Sequence, residues 1–225
     1  MRIMIINPNS DQKMTEAIRK SAEDFADGRF EVLCKANPGA PRFLETYGDD
    51  VDAAAGLLHL VKEHEHECDA FVIACHGDPH IDAVKERATK PVVGIGEASM
   101  KIASMLGHSF SVVTTAQRSI PPKQAQARQY HVQDLMVSVR APEKDASACD
   151  DAELFLDLAR SAIHQDLAEV IVLGCAGLTG MDKLIQEQLG VPTLDGVVCA
   201  LIIAEGLVRY GVSTSKVLGY NPEWE

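Results

Sequence analysis

Short runs of four to seven apolar, mostly β-branched residues alternate with longer helical stretches along the whole chain. Continuous apolar runs of this length are typical of strands in parallel sheets that are covered on both faces. Predicted strands lie at 2–6, 30–34, 70–75, 91–95, 109–114, 134–140, 169–174 and 191–194. Predicted helices lie at 11–26, 50–67, 80–89, 97–106, 118–130, 151–166, 181–189 and 197–210. This alternation predicts the α/β class.

The chain also contains an internal repeat. The segment DAFVIACHG at 69–77 matches AEVIVLGCAG at 168–177 when Cys75 is aligned with Cys175, and a glycine follows two residues after each cysteine. A proline then opens another short strand at a nearly equal distance after each cysteine. We therefore expect two pseudo-symmetric four-stranded parallel-sheet subdomains with helices on both faces.

Polar turns follow the first strand of each half, with Asn9 and Ser10 in one and Thr114 and Thr115 in the other. Binding sites in parallel sheets lie beyond the carboxyl ends of the strands. Both cysteines occupy that edge of their own half, so we expect the active site in the cleft between the two subdomains. Asn9 either binds a substrate amide or carbonyl or holds its turn, and the threonine hydroxyls have the same two options. Ser10 is expected to cap the helix that begins at Asp11.

Inversion of a carbon centre requires removal of a proton from one face and its return to the other, which two opposed groups accomplish without moving. A free thiol has a pKa of about 8.5, and a helix N-terminus or a nearby cation lowers it. Cys75 and Cys175 each follow a strand and precede a glycine-containing turn, where backbone N–H groups could also hold an enolate oxygen. We expect this pair to be catalytic acid/bases. The other cysteines are expected to be reduced, small buried hydrophobes, namely Cys34, Cys68, Cys149 and Cys199.

Two residues beside Cys75 have competing interpretations. His76 could lower the pKa of the thiol, shuttle a proton or bind substrate, and the alternative is a polar residue in a solvated turn. Asp78 either bonds to His76 or caps the following helix, and capping is the better-supported option because Asp before a helix is common.

Composition limits the classes of partner. The net charge of −12 and the pI near 5.1 argue against nucleic acid and anionic membranes, both of which need a basic surface. The N-terminal apolar run is too short for a signal peptide or a membrane span, so a cytoplasmic location is the expectation. His59, His64 and His66 are expected on a solvated helix surface, since His64 and His66 do not share a helix face that could bind metal. The expected partner is a small molecule, and a homo-oligomer is left open.

At these motifs the chain resembles the Asp/Glu/hydantoin racemase superfamily, and within it the hydantoin/allantoin racemase branch. The matching segments are INPNS at 6–10, VIACHGDP at 72–79, PVVGIGEA at 91–98, FSVVTT at 110–115 with Arg118, VLGCAGL at 172–178 and VPTLDG at 191–196. The branch commonly has an aromatic residue at the position of His76.

The resemblance implies a second subdomain at 97–195, inserted so that residues 196–225 return to the first subdomain at 1–96. It implies no metal and no pyridoxal cofactor, and it assigns the catalytic roles to Cys75 and Cys175, on opposite sides of the substrate. It extends substrate contacts to Asn9, Gly77, Thr115, Ala176 and Gly177.

Three functions follow as hypotheses. The first is a cofactor-independent racemase or epimerase acting on a 5-substituted hydantoin, allantoin or a related ring, since such neutral rings suit an edge of amides and hydroxyls. The second keeps the cysteines but acts on an amino acid of the Asp/Glu type, a maleate or a malonate, and would need Arg42 or Arg118 as a cationic clamp. The third is a non-catalytic, two-lobed ligand-binding protein, which would need the cleft but not the thiols.

Overall fold

The computed structural model describes residues 1–145 and 151–223, which form two compact units. The first consists of Met1–Ile95 and Ala200–Glu225, and the second of Gly96–Cys199. The division into domains at 1–96 plus 196–225 and at 97–195 stays a prediction, because compactness does not measure independent folding.

A four-stranded parallel sheet forms the centre of the first unit. Its strands are β1 (Arg2–Asn7), β2 (Glu31–Ala36), β3 (Ala70–Ile73) and β4 (Val92–Gly94), in the order β2-β1-β3-β4. Its helices are α1 (Gln12–Ala26), α2 (Tyr47–His64) and α3 (Ile81–Arg87). Successive side chains of a strand point to opposite faces, and those of Met4 and Ile6 pack with Leu57 of α2 and Val84 of α3. The neighbouring Ile5 is fully buried on the other face.

The second unit repeats this plan. Its strands are β5 (Phe110–Val113), β6 (Met136–Arg140), β7 (Val170–Leu173) and β8 (Thr193–Leu194), in the order β6-β5-β7-β8. Its helices are α4 (Ile95–Leu106), α5 (Ile120–Gln129), α6 (Ala152–Asp166) and α7 (Asp182–Leu189), and α8 (Gly196–Tyr210) belongs to the first unit from Ala200 onward. Val113 packs with Phe155 of α6 on one face, and Val112 packs with Met100 of α4 and Ala127 of α5 on the other. Both sheets therefore follow the same second-first-third-fourth order.

The predicted fold class is confirmed, and every predicted strand and helix is present with shifted ends. Helix α2 begins three residues before the predicted start because Thr46 and Asp49 form a capping box. Strand β3 ends at Ile73, two residues early, since Ala74 and Cys75 turn away from the sheet.

The prediction that His64 lies on a solvated helix surface is wrong. His64 is only 6% exposed and its Nδ1 pairs with the carboxylate of Glu67, whereas His59 does lie on the surface. Among the described residues, no group of three or more His, Cys, Asp or Glu side chains could hold a metal ion. In the same part of the chain, no helix has the length and apolar character needed to cross a membrane.

Candidate active site: two cysteine turns

Cys75 lies on a tight turn at the carboxyl end of β3. The turn starts where the Ala74 N–H donates to the carbonyl of Ile6 at 2.8 Å, and it closes where the Asp78 N–H donates to the carbonyl of Cys75 at 2.9 Å. Cys75 is half-buried, and its Sγ lies next to Gly77, which is exposed. The backbone thus presents one thiol at the sheet edge on a hydrogen-bonded turn.

Cys175 lies on the corresponding turn after β7. The Gly174 N–H donates to the carbonyl of Val113 at 2.7 Å, and the Leu178 N–H donates to the carbonyl of Cys175 at 3.0 Å. The Cys175 Sγ also accepts the Gly177 N–H at 3.4 Å. Each cysteine stands two residues beyond its strand and carries the same i to i+3 bond, as the repeat predicts.

His76 and Asp78 are both buried, at 1% and 4% exposure. The solvated-turn alternative for His76 is therefore wrong. The capping role expected for Asp78 is also wrong, because α3 starts at Ile81 and its N-cap, His80, makes no side-chain capping bond. The Asp78 carboxylate instead packs on Gly94 at the end of β4, so closely that a methyl group on Gly94 would lie 2.3 Å from Oδ1.

The turn after β1 is held by an amide network. The Asn7 Nδ2 donates to the Asn9 Oδ1 at 2.7 Å and to the Thr15 Oγ at 2.9 Å, and the Asp11 N–H donates to the same Asn9 Oδ1 at 3.0 Å. The Asn9 Nδ2 donates to the thioether of Met14, a weak acceptor, at 3.4 Å. Asn9 therefore holds its turn through oxygen and keeps an amide N–H suited to a stronger acceptor.

Ser10 does not cap α1. The helix starts at Gln12, and the cap is Asp11, whose Oδ1 accepts the Met14 N–H at 2.7 Å. Ser10 lies one residue before the capping position, and its N–H donates to the carbonyl of Pro41 at 3.1 Å.

Thr114 and Thr115 differ in exposure. Thr114 is 1% exposed and its Oγ donates to the carbonyl of Gly174 at 3.5 Å, so it ties the turn after β5 to the turn of Cys175. Thr115 is half-buried. Gly174 must be a glycine, because a methyl group there would lie 2.6 Å from Val112 Cγ1.

A buried carboxylate that sequence reasoning missed, Asp195, follows β8 and caps α8. Its Oδ1 accepts the Val197 N–H at 2.8 Å, and its Oδ2 accepts the Gly180 N–H at 3.2 Å. The Thr179 hydroxyl donates to Oδ1 at 3.4 Å. Burial raises the pKa of Asp195 to about 6. The available signal was an Asp between a short strand and a glycine that opens an apolar helix.

The other cysteines differ from the two on the turns. Burial raises the pKa of Cys34 and Cys199 to about 12 and that of Cys68 to about 11, so these thiols stay protonated near neutral pH. Cys149, expected to be buried, lies outside the described residues. None of the five cysteines in the described part of the chain forms a disulfide.

Each unit therefore brings its own predicted residues to one edge of its own sheet. In the first unit these are Asn9, Ser10, Cys75, His76 and Gly77, and in the second they are Thr114, Thr115, Cys175, Ala176 and Gly177. The two sets define a class of protein: a duplicated α/β fold with one half-buried thiol on the corresponding turn of each unit.

Comparisons with known proteins identify the family. Residues 3–204 match the family model of Asp/Glu/hydantoin racemase. Hydantoin racemases from Pseudomonas sp. (strain NS671) and Paenarthrobacter aurescens are each 36% identical to the chain, over 98% and 100% of it and 91% and 98% of their own lengths. The solved allantoin racemase from Klebsiella pneumoniae is 33% identical, with a TM-score of 0.94 over 100% of this chain and 95% of that one. The chain belongs to the Asp/Glu/hydantoin racemase family.

Proposed function

We propose that this protein is a cofactor-independent racemase of hydantoin-type rings, including 5-substituted hydantoins and allantoin, and that Cys75 and Cys175 are its two acid/bases. The observation that carries the proposal is the duplicated turn, which offers one half-buried thiol at the same strand end in each unit. The relatives named hydantoin racemase and allantoin racemase, which match almost the whole chain, support the choice of reaction and ring.

The mechanism moves one proton in and one proton out. One cysteine, as the thiolate, takes the proton from the ring carbon next to the carbonyl and becomes a thiol, while the bond electrons move to the carbonyl oxygen as an enolate. The other cysteine, as the thiol, gives its proton to the opposite face of that carbon and becomes a thiolate. The two cysteines have then exchanged protonation states, and the enzyme is ready for the opposite enantiomer.

Backbone and amide donors complete the proposed site. The turn of Cys175 presents the Gly177 N–H close to the sulfur, and such preorganised donors stabilise a developing enolate. The Asn9 Nδ2, which donates to the weakly accepting thioether of Met14, is suited to a ring carbonyl. Gly77, which is exposed, leaves the backbone beside Cys75 open to a ligand.

A neutral ring fits the charges better than an acidic substrate does. Arg42, one of the two candidate clamps, donates its Nε–H to the Asp11 carboxylate at 2.8 Å. The other, Arg118, is half-exposed and lies 3.7 Å from the carboxylate of Asp145. Under the hypotheses of an Asp/Glu-type amino acid, a maleate or a malonate as substrate, the substrate carboxylate would share one of these cations with the carboxylate that it already pairs with.

The proposal also includes a cytoplasmic location and leaves open a homo-oligomer. Support for the location is that none of the five described cysteines forms a disulfide, as is usual in a reducing compartment. Cell fractionation tests the location, and light scattering on the purified chain tests the oligomeric state.

Polarimetry on single enantiomers of 5-isopropylhydantoin, 5-benzylhydantoin and allantoin tests the reaction, with aspartate and glutamate as acidic comparisons. We expect loss of optical rotation with the rings and uptake of one deuterium per inversion in D₂O. Unchanged rotation of every ring, at enzyme concentrations that give a folded circular dichroism spectrum, would refute the proposal.

Single Cys75→Ser and Cys175→Ser variants test the thiols. Serine keeps the shape, but its hydroxyl does not ionise near neutral pH and cannot replace the thiolate as the base. Each change should therefore lower kcat/KM by about 10³-fold, within the range of acid–base catalysis. Cys68→Ser, at a buried position before β3 and so at the end of that strand opposite to the Cys75 turn, is the matched control and should retain activity. Turnover within about twofold of wild type in both turn variants would remove the thiols from the mechanism, whereas ring binding without any turnover by wild type would favour the ligand-binding hypothesis.

A further inference from the structure

Each cysteine turn is tied to the end of the neighbouring strand by one buried carboxylate. In the second unit, Asp195 follows β8 and accepts the backbone N–H of Gly180 and the hydroxyl of Thr179, both on the segment that continues the Cys175 turn. Its other bond, from the Val197 N–H, fixes it to the first turn of α8.

The first unit makes the same link from the other side. Asp78 belongs to the Cys75 turn itself, and its carboxylate packs on Gly94 at the end of β4. Asp78 has a left-handed backbone with φ of 47°, so the turn adopts a conformation that needs support from its surroundings. In the first unit the carboxylate therefore belongs to the turn and contacts the end of a strand. In the second unit it follows a strand and contacts the segment that continues the turn.

We propose that Asp78 and Asp195 are positioning residues, each fixing the cysteine of its own unit for proton transfer. The inference rests on the proposed two-cysteine racemase. From Asp195 the chain of contacts runs through Gly180 and Thr179 to the short 3₁₀ turn Ala176–Leu178, whose Gly177 N–H bonds to the Cys175 sulfur. The chain of contacts from Asp78 is shorter, since the Asp78 N–H donates directly to the carbonyl of Cys75.

Asparagine is the informative substitution at both positions. Asp195→Asn keeps the size, but the carboxylate accepts backbone N–H groups on both oxygens, so the new NH₂ group would face a donor at Gly180 or Val197. The turn would then shift relative to the substrate carbon. Shifts of about 1 Å in a reacting group cost about 100-fold in rate, so we expect kcat/KM to fall by about tenfold to 100-fold in each variant.

Substrate isotope effects separate positioning from a general loss of structure. Slowing proton transfer at one cysteine makes that transfer rate-limiting in both directions. The primary deuterium effect on kcat/KM then increases for the enantiomer which that cysteine deprotonates and decreases for its mirror image. A smaller folded fraction scales both rates equally and leaves the ratio of the two effects unchanged.

The experiment measures kcat/KM for each enantiomer of 5-isopropylhydantoin, with hydrogen or deuterium at the ring carbon, in wild type, Asp78→Asn and Asp195→Asn. We expect the ratio of the two isotope effects to move in opposite directions in the two variants. Movement in the same direction, or no movement despite slower turnover, would overturn the inference. Asp166→Asn, which alters a carboxylate paired with Arg140 in the second unit, is the control and should leave the ratio unchanged.

Milder substitutions keep the test decisive if an asparagine variant does not fold. Thr179→Val removes one donor to Asp195, and Gly94→Ala displaces the Asp78 carboxylate, so each should shift the ratio in the direction expected for its partner. Absence of racemisation by wild type would refute the proposed function. Isotope effects in wild type that none of these substitutions changes would refute the positioning role alone.

Discussion

Asp195 illustrates how burial and hydrogen bonding compete at a single residue. Burial raises the pKa of its carboxyl to about 6, and the charge of Asp182 on α7 adds to the effect, while N–H groups at the start of α8 oppose it. Cys199, the other titratable group facing it from α8, is a neutral thiol in this range because its own pKa is about 12. The ordinary pKa of the carboxyl, 3.8, applies to the unfolded chain. The folded chain therefore binds an extra proton between about pH 4 and 6, and stability falls as the pH rises through that window.

This sign gives a prediction for Asp195→Asn. As the pH rises from 4 to 7, the unfolding free energy of the variant should increase relative to that of wild type by up to about 3 kcal/mol, since one pKa unit corresponds to about 1.4 kcal/mol. Urea unfolding at a series of pH values measures it. Asp166→Asn is the control of opposite sign, because the Arg140 guanidinium lowers the pKa of Asp166 and wild type gains from that pair as the pH rises. Parallel stability curves for Asp195→Asn and wild type would contradict the prediction.

At the scale of elements, the start of α1 depends on a residue that sequence reasoning passed over. Asp11 accepts the Met14 N–H and pairs with Arg42, and the bond from Arg42 holds the pKa of Asp11 below its ordinary value. We expect Asp11→Ala to lower the unfolding free energy by about 1–2 kcal/mol, and Ser10→Ala to change it by less than about 0.5 kcal/mol.

The Asp11 contribution is present above about pH 4 and is lost as the pH falls, because its folded pKa is lowered. Thermal unfolding of the two variants measures both effects, and a larger loss from Ser10→Ala would restore serine as the cap.

The existence of each element could be predicted from the sequence, but its ends could not. Apolar runs such as those of β1 and β7 follow from burial on both faces of a parallel sheet, and that requirement is local enough to read from the chain. Helix starts depend on which polar side chain reaches a free N–H, and Ser10 and Asp11 are equally good candidates until the contact with Pro41 decides between them. Asp78 was misjudged for the same reason, since its partner at Gly94 is distant in sequence.

At the scale of the whole molecule, the repeat predicted two four-stranded parallel sheets and the matching cysteine turns. It could not predict the carboxylate links, because the two units make them from positions that are not equivalent in the repeat. Asp78 lies on a turn after the third strand of its unit, and Asp195 follows the fourth strand of the other. Equivalent backbone geometry is thus maintained by side chains that differ between the two units. Aligning the two halves of the sequence does not pair Asp78 with Asp195.

The first unit is built from two segments far apart in the chain, and its C-terminal tail holds them together. The Lys216 Nζ donates to the carbonyls of Lys85 and Glu86 at the end of α3, at 2.7 and 2.9 Å. The Ser213 hydroxyl donates to the carbonyl of Thr89, and the Tyr220 hydroxyl donates to the Asp82 carboxylate, each at 2.8 Å. The two bonds from Lys216 satisfy carbonyls that a helix end leaves unpaired.

Removal of residues 213–225 should therefore loosen the first unit selectively. Hydrogen bonds contribute about 1 kcal/mol each, so we expect the opening free energy of α3 and β4 to fall by about 2–3 kcal/mol, while amides of β5 to β8 keep their exchange rates. Lys216→Met should give about 1 kcal/mol of this loss, and Lys62→Met, on the exposed face of α2, should give none. Hydrogen–deuterium exchange resolved by peptide measures all three. Equal acceleration in both units would show that the tail stabilises the whole chain, and unchanged exchange in α3 would show that its contacts contribute nothing.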